Sequence, residues 1–257
     1  MEPRKLCEEA WQEIASKFPD FKVLAKGQKL KRVAKNKDII FEIYFQASRY
    51  NCEYSVKFIP HIGIYSKSIK KVGINHGLIY GGDLGSLSSG KPHEWWQLAG
   101  ASYKCTVEEV SKLIKIHIIP IFDYFENTQA NIDRILEGSC TSASLLYYMY
   151  YFAGKNKAQQ YFNKILKENK MKSRYISFYE SLKSIPTENI SLSYSEFSGA
   201  IMIKFAYLNG IEIEKSNLLM EKDKDDGKKY NNKTYNFHLT NEIIDGFFGK
   251  ENRLKMR

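Results

Sequence analysis

Two stretches in the first third of the chain alternate between apolar and polar side chains, and this period of two constrains the fold more than any other feature. In the first stretch, residues 39–46 (IIFEIYFQ), the apolar side chains of one side are Ile39, Phe41, Ile43 and Phe45. In the second stretch, residues 54–65, they are Tyr54, Val56, Phe58, Ile62 and Ile64. Successive side chains of a β-strand point to opposite faces, so each stretch predicts a strand with one buried face. Together they predict an antiparallel meander with a core face and a solvated face.

Shorter signals extend this meander and predict a helix before it. Runs rich in apolar residues predict strands at 30–34 and 77–80. Pro60 lacks the N–H of a strand ladder, so we expect it on an edge strand or at a bulge. Residues 4–18 predict an amphipathic helix, because their apolar side chains recur at helical spacing. Those side chains are Cys7, Trp11, Ile14 and Phe18.

A second helix is predicted from Thr106 onwards, where a capping box begins. Glu109 follows Thr106 by three residues, the spacing at which the two side chains satisfy each other's backbone N–H groups. Pro120 removes one helical hydrogen bond, so we expect a kink there. The predicted buried stripe of this helix consists of Val110, Leu113, Ile114, His117, Ile118, Ile121 and Phe125.

The rest of the chain has a helical pattern. Residues 140–169 predict a helical hairpin around the turn GKNK, and residues 195–208 predict a helix that ends at Asn-Gly. Between them lies a serine-rich connection, 183–194. The charged segment 221–233 predicts an exposed loop, and 240–248 a last short helix.

The predicted fold class is therefore α+β, with a short antiparallel sheet packed against helices and followed by a mainly helical C-terminal region. The α+β domain is expected over residues 1–126 and the helical region over 127–257. Whether the helical region packs on the first domain, and so covers the solvated face of the sheet, is left open by the sequence.

Residues 85–91 match the first seven positions of the phosphate-binding loop G-x-x-x-x-G-K-[ST]. The hydroxyl that binds magnesium belongs to the next position, which here is Pro92. Proline also disfavours helical backbone at Lys91, although a phosphate-binding loop continues into a helix at this lysine. We therefore predict no nucleotide site, and we interpret residues 81–92 as a flexible surface loop.

Metal sites and cofactors are not predicted either. The cysteines at positions 7, 52, 105 and 140 lie far apart, which is typical of free thiols in a reducing cytosol. The five histidines supply none of the short ligand spacings that zinc requires. Residues 223–227 (DKDDG) resemble a calcium loop, but lysines would occupy two ligand positions, so a solvated turn is expected.

The distribution of charge and hydropathy bears on partners and compartment. The formal net charge is +10, but the lysines are spread along the chain and mixed with acidic residues, so charge alone does not favour nucleic acid. The longest uncharged apolar run, residues 145–153, has about half of the ~20 residues that span a bilayer. The charged N-terminus lacks the apolar core of a signal peptide. We expect a cytoplasmic protein without a membrane segment.

The solvated face of the predicted meander is the first candidate binding site. Its candidate residues are Glu42, Tyr44, Gln46, Lys57, His61 and Tyr65. If the two strands are neighbours, aromatic rings and hydrogen-bonding groups share one patch, which is typical of partner-binding surfaces. A helix of the same chain could equally cover this face, and both alternatives stay open.

Two adjacent tryptophans, Trp95 and Trp96, are the second candidate. Adjacent side chains of a turn or strand cannot both point inward, so we expect one ring in the core and one at least partly exposed. Exposed tryptophan is enriched among the residues that dominate binding energy. The alternative is that both rings are partly covered by the neighbouring loop and the first helix.

The segments 45–65, 93–100 and 118–126 resemble, in order and spacing, a family of bacterial proteins called domain of unknown function 4304. The matching positions are Phe45, Gln46, Ser48, Asn51, Phe58, Gly63, Trp95, Leu98, Pro120 and Phe125. The resemblance covers residues 5–126, and its extension to about residue 170 stays open. It implies no particular activity, but it implies a bacterial origin and a place in accessory loci where interaction and immunity proteins are frequent.

Three of the matching positions are polar. Ser48 and Asn51 follow a predicted strand, where such side chains commonly bond their own backbone, so we expect them to structure a turn. Gln46 lies on the solvated face and is the better candidate for contact with a partner.

These observations favour a non-catalytic protein-binding module of the bacterial cytosol, associated with immunity or defence. Motifs of nucleophilic or metal-dependent hydrolysis are missing, so no catalytic residue is proposed. The alternative is a nucleic-acid-binding protein that uses dispersed lysines and stacks bases on Tyr44, Tyr65 or Trp96. A third interpretation is an enzyme whose catalytic residues are scattered along the sequence.

Overall fold

The computed structural model describes residues 2–138 and 141–213 of the chain. The described residues form two compact units, one of residues 2–68 with 78–138 and one of residues 69–77 with 141–213. The first unit holds an antiparallel sheet and helices, whereas the regular structure of the second is helical. The prediction of an α+β fold followed by a mainly helical region is confirmed.

The described strands form one sheet in the spatial order β1-β2-β3-β4-β5, and β6 also pairs with β4. Their bounds are β1 Lys22–Leu24, β2 Lys29–Val33, β3 Ile39–Ala47, β4 Lys57–Ser66, β5 Leu78–Asp83 and β6 Trp96–Gln97. All the pairings are antiparallel, and Tyr44 of β3 stands opposite His61 of β4. The predicted meander is therefore confirmed, and β1 and β6 are additions to it.

Helices account for most of the remaining described structure. Their bounds are α1 Pro3–Ser16, α2 Lys67–Lys71, α3 Leu84–Ser88, α4 Ser102–Leu113, α5 Ile119–Glu126, α6 Thr128–Glu137, α7 Ala143–Glu168, α8 Lys172–Leu182 and α9 Ala200–Leu208. A π-helical turn, Ile114–Ile118, joins α4 to α5, and short 3-10 turns lie at Asn75–Gly77 and Thr187–Asn189.

One face of the sheet forms the core of the first unit. The four predicted inward side chains of β3, at positions 39, 41, 43 and 45, are all fully buried. Trp11 of α1 stacks on Phe45 with ring centroids 6.3 Å apart, and Phe122 of α5 lies 4.9 Å from Phe41. Each such side chain stabilises the fold by about 1.5–3 kcal/mol on burial. Helices α1 and α5 therefore cover this face, which we call the inner face.

Two expectations for the second strand are wrong. Tyr54 does not point inward but is 84% exposed, because residues 53–54 form the turn that precedes β4. Pro60 lies inside β4, which has neighbours on both sides, rather than on an edge strand, and the bulge of the β4–β5 ladder falls at Ile64/Tyr65 instead. Pro60 stands opposite Phe45, whose N–H points away from β4 and donates to the Gln28 carbonyl. This pair of residues therefore exchanges no backbone hydrogen bonds, and Pro60 needs no N–H towards β3. The imide nitrogen of Pro60 therefore faces the gap between β5 and β6.

The predicted helix at Thr106 begins four residues earlier than expected, at Ser102. The Thr106 hydroxyl donates to the Gln97 carbonyl at 2.6 Å instead of capping its own helix. Near Pro120 the helix widens into the π-helical turn before α5 begins. A proline ring clashes with the carbonyl four residues earlier in a regular α-helix, and the wider turn accommodates it.

The interpretation of residues 81–92 as a flexible surface loop is wrong for the first half of the segment. Residues 81–83 belong to β5, and α3 follows with Leu84, Gly85, Ser86 and Leu87 buried. Asp83 caps this helix, because its carboxylate accepts hydrogen bonds from the Ser86 N–H and the Ser86 hydroxyl. The glycine and serine of α3, Gly85 and Ser86, are therefore buried in a packed helix and do not form a loop.

The second unit contains the predicted hairpin. Inside α7, Gly154 has a left-handed φ of 80° and breaks the helix into two segments. The Tyr161 hydroxyl accepts a hydrogen bond from the Ser142 N–H, although a straight helix would separate these residues by about 28 Å. The two segments therefore fold back on each other.

The later helix begins at Ala200, after Gly199 with a φ of 94°, rather than at residue 195, and it ends at Asn209-Gly210 as predicted. Cys140, the calcium-like turn 223–227, the charged loop 221–233 and the helix predicted over 240–248 lie outside the described residues.

Candidate functional site

The side of the sheet opposite the inner face carries the candidate site, and we call it the outer face. The strand register assigns these residues to it: Lys22, Leu24, Lys29, Lys31, Val33, Ile40, Glu42, Tyr44, Gln46, Lys57, Ile59, His61, Gly63, Tyr65, Leu78, Gly81 and Asp83. The six sheet residues predicted for the solvated face are all among them.

Tyr44 lies at the centre of the outer face, and its ring is held on two sides. Its ring stacks on His61 with centroids 6.4 Å apart and an interplanar angle of 27°. The side-chain amide of Gln28 donates to the Tyr44 hydroxyl at 3.2 Å. On the far side of His61, the Nε2 atom lies 2.9 Å from Gln46 Oε1. The four side chains thus form a continuous polar and aromatic strip, in which Tyr44 is still 39% exposed.

Burial lowers the pKa of His61, and the charge of His93 lowers it further, whereas the Asp83 carboxylate opposes both effects. The ring is therefore neutral at pH 7. The neutral ring donates to Gln46 Oε1 when Nε2 carries the proton, and the other tautomer accepts from the amide N–H once the amide has turned over. At neutral pH the strip is uncharged.

The carboxylate of Glu42 lies beside this strip and is paired with lysines of β2. Lys29 Nζ lies 2.9 Å and Lys31 Nζ 3.9 Å from the Glu42 oxygens. Within β4, the ring of Tyr65 lies over Gly63, where a Cβ atom would meet it at 2.5 Å. Burial, together with the charge of Glu42, raises the pKa of Tyr65, so its hydroxyl remains protonated at neutral pH.

The two tryptophans have different environments, as predicted from their adjacency. Trp96 pairs with Phe58 in β6 and is 7% exposed, whereas Trp95 is 39% exposed. The Trp96 ring is in the core, so it offers no surface for a partner or for base stacking. Extending the β6 register by one residue places Trp95 opposite Ile59, on the outer face next to Gln46. Trp95 is therefore the tryptophan that reaches the solvent, and the extended register places it on the same side of the sheet as the strip.

The turn between β3 and β4 is held by the two polar residues expected to structure it. The Ser48 hydroxyl accepts a hydrogen bond from the Tyr50 N–H. The Asn51 side chain accepts from the Lys57 N–H at 2.8 Å and donates to the Lys57 carbonyl at 3.0 Å. The Asn51 side chain thus makes the two hydrogen bonds that a paired strand residue would make, and these bonds fix the backbone of Lys57. The Lys57 side chain remains exposed.

Sequence reasoning missed part of the outer face. Lys29 and Lys31 flank Glu42 and Tyr44, but only the alternation of β2, KLKRV with Leu30 inward, indicates their direction. Gln28 and Asp83 were missed too. Gln28 lies in a turn, and Asp83 lies at the end of β5, in a segment that was predicted to be a loop.

In the described part of the chain, no group of three or more His, Cys, Asp and Glu side chains could hold a metal ion. Cys7 is a buried free thiol whose pKa burial raises to about 11, and Cys52 and Cys105 are exposed free thiols. None of the helices of residues 2–138 and 141–213 is long and apolar enough to cross a membrane.

Comparison with known proteins gives a match to one family model. Residues 19–124 match the family model described as "Domain of unknown function (DUF4304)". No curated protein and no solved structure matches the chain. The matched segment contains all six strands and the whole outer face, and it agrees with the resemblance noted from the sequence. Residues 19–124 of this chain are therefore similar to the family described as Domain of unknown function (DUF4304).

Proposed function

We propose that this chain is a non-catalytic binding protein of the bacterial cytosol, associated with immunity or defence, whose outer face recognises a protein partner. The observation that supports the proposal is the position of Tyr44, which reaches solvent although contacts to Gln28 and His61 hold its ring. Tyrosine is among the residue types that most often dominate the binding energy of protein interfaces.

Fixed side chains favour affinity because little conformational entropy is lost when they bind. Ordering a flexible side chain at an interface costs about 0.5–1.5 kcal/mol. The stack of Tyr44 on His61, and the contact of His61 with Gln46, lower that cost before a partner arrives. The strip also mixes apolar ring surface with donors and acceptors, which is the usual chemistry of a protein interface.

Replacing Tyr44 by alanine is expected to abolish capture of the partner. Truncating a central interface tyrosine typically costs 2 kcal/mol or more, which weakens binding about 30-fold. The full chain and the Tyr44→Ala variant are immobilised and exposed to native bacterial lysate, and the retained proteins are compared by mass spectrometry.

Tyr54→Ala is the matched control, because Tyr54 is a highly exposed tyrosine in the turn before β4 and lies off the outer face. The proposal predicts proteins that the parent chain and Tyr54→Ala retain and Tyr44→Ala loses. It is wrong if all three retain the same proteins, or if the parent chain retains none above background.

Nucleic acid is a second candidate partner, favoured by lysines on the same face as Tyr44. Lys22, Lys29 and Lys31 lie on neighbouring strands of the outer face. Binding to a single strand should weaken with salt, with a logarithmic slope of about −0.7 for each phosphate contact. Fluorescence anisotropy of labelled single- and double-stranded probes measures this slope, and an unchanged signal at low salt would eliminate the candidate.

A further inference from the structure

We infer that the partner presents an acidic surface to the outer face, with carboxylates placed over four lysines that flank Tyr44. This inference rests on the proposed function and specifies the chemistry of the partner. The four lysines are Lys22, Lys29, Lys31 and Lys57.

The two carboxylates of the outer face are already engaged inside the protein. Glu42 is 17% exposed and lies between Lys29 and Lys31. Asp83 is buried and accepts hydrogen bonds from Ser86 and from the His93 N–H. Asp83 therefore offers little negative charge to the solvent, whereas the partly exposed charge of Glu42 is balanced by the two lysines beside it.

The lysines, by contrast, reach the solvent. Lys22 and Lys57 are exposed, and the side chains of Lys29 and Lys31 are each about one third exposed. Since His61 is neutral at pH 7, it does not alter this balance. The outer face presents four positive charges against two carboxylates, of which Asp83 is buried and Glu42 is paired with lysines, so the potential above it is positive.

The positions of the lysines define a patch of ordinary interface size. Lys29 stands directly opposite Tyr44, and Lys31 stands opposite Glu42. From the strand spacing and the rise per residue, Lys22 lies about 12 Å and Lys57 about 14 Å from Tyr44, on opposite sides. Such a patch matches the ~800 Å² that each partner buries in a standard protein interface.

Glu42 favours an acidic protein over nucleic acid as the occupant. A continuous phosphate backbone crossing the patch would pass over the Glu42 carboxylate between Lys29 and Lys31, where like charges repel. A protein surface can place separate carboxylates over the lysines and a neutral donor over Glu42. This arrangement gives complementarity and also excludes the wrong class of partner.

The test uses the full chain and poly-L-glutamate as the acidic probe, followed by amide chemical shifts in NMR spectra. Two double variants are compared, Lys22→Glu/Lys57→Glu on the outer face and Lys5→Glu/Lys104→Glu on exposed positions of α1 and α4. Both change the net charge of the protein equally. Lys29 and Lys31 are left intact because they hold Glu42 in place.

We expect the probe to shift amides of the outer face, and we expect the outer-face variant to bind it about tenfold or more weakly than the parent chain. The α1/α4 variant should bind as the parent chain does. Equal weakening of both variants, or shifts scattered over the described chain, would show that only the net charge acts and would overturn the inference. Tighter binding of a single-stranded oligonucleotide of matched charge at this face would overturn it in favour of nucleic acid.

The capture experiment separates this inference from the proposed function. If Lys22→Glu/Lys57→Glu retains the partner that Tyr44→Ala loses, the outer face binds a protein but the acidic chemistry is wrong. If Tyr44→Ala changes nothing in the captured set, the proposed function fails, and the inference fails with it.

Discussion

Replacing Gly27 by alanine is expected to lower the free energy of unfolding of the first unit by about 2–5 kcal/mol. Gly27 has a φ of 88°, and a Cβ atom there would lie 2.7 Å from the Gln12 backbone nitrogen and 2.9 Å from the Trp11 carbonyl carbon. The neighbouring atoms belong to the backbone of α1, so they cannot move aside as a side chain could. The turn between β1 and β2 would have to withdraw from the helix.

Gly100→Ala is the matched control for this substitution. Gly100 has a similar left-handed φ of 68°, but no heavy atom lies within 4 Å of its ideal Cβ position. Only the conformational cost remains there, about 1–2 kcal/mol. Tryptophan fluorescence during urea unfolding reports on the first unit alone, because Trp11, Trp95 and Trp96 all lie in it. Equal losses in the two variants would contradict the proposed close approach to α1.

Replacing Lys204 by methionine is the second substitution with a large expected effect. The Lys204 side chain is 5% exposed, and its ammonium group lies 2.7 Å from Glu196. It also donates to the Ser191 and Tyr194 carbonyls at 3.1 and 2.9 Å. Methionine keeps the aliphatic volume but leaves these acceptors without their donor, which should cost about 2–4 kcal/mol. Faster hydrogen exchange of residues 191–204 would report the loss.

Lys183→Met tests whether burial or the ion pair itself carries this effect. Lys183 pairs with Glu180 at the same 2.7 Å, but its side chain is 57% exposed. An exposed pair of this kind contributes little because water solvates both charges in either state. We expect exchange in the second unit to be unchanged in Lys183→Met. A similar acceleration in both variants would mean that burial of Lys204 is not what stabilises residues 191–196.

The parts of the fold that the sequence predicts are those fixed by local periodicity. The buried face of β3 follows from period two alone, and the hairpin follows from a glycine between two apolar helical runs. By contrast, the start of α4 depends on a bond from Thr106 to Gln97, which belongs to another element. A capping motif in sequence cannot show that its hydroxyl has found a tertiary acceptor.

The same distinction holds for the site. The alternation of β3 places Tyr44 and Gln46 on one face, and the antiparallel pairing brings His61 to them. The sequence also predicts that one of two adjacent tryptophans is buried. The sequence cannot tell which tryptophan is buried, because the pairing of Trp96 with Phe58 decides this. These two residues are far apart in the sequence, so no local pattern indicates their pairing.

The interruption at Pro60 has a consequence for how this scaffold can diversify. β5 and β6 pair with separate stretches of β4, so neither ladder depends on the other. Residues 89–95 lead into β6, and Pro60 lies between the two ladders, where β4 needs no backbone donor. Insertions or deletions in residues 89–95 would leave the strand register unchanged. Related chains could thus acquire new recognition chemistry beside Tyr44 and His61 by altering one short connection, while the framework beneath stays the same.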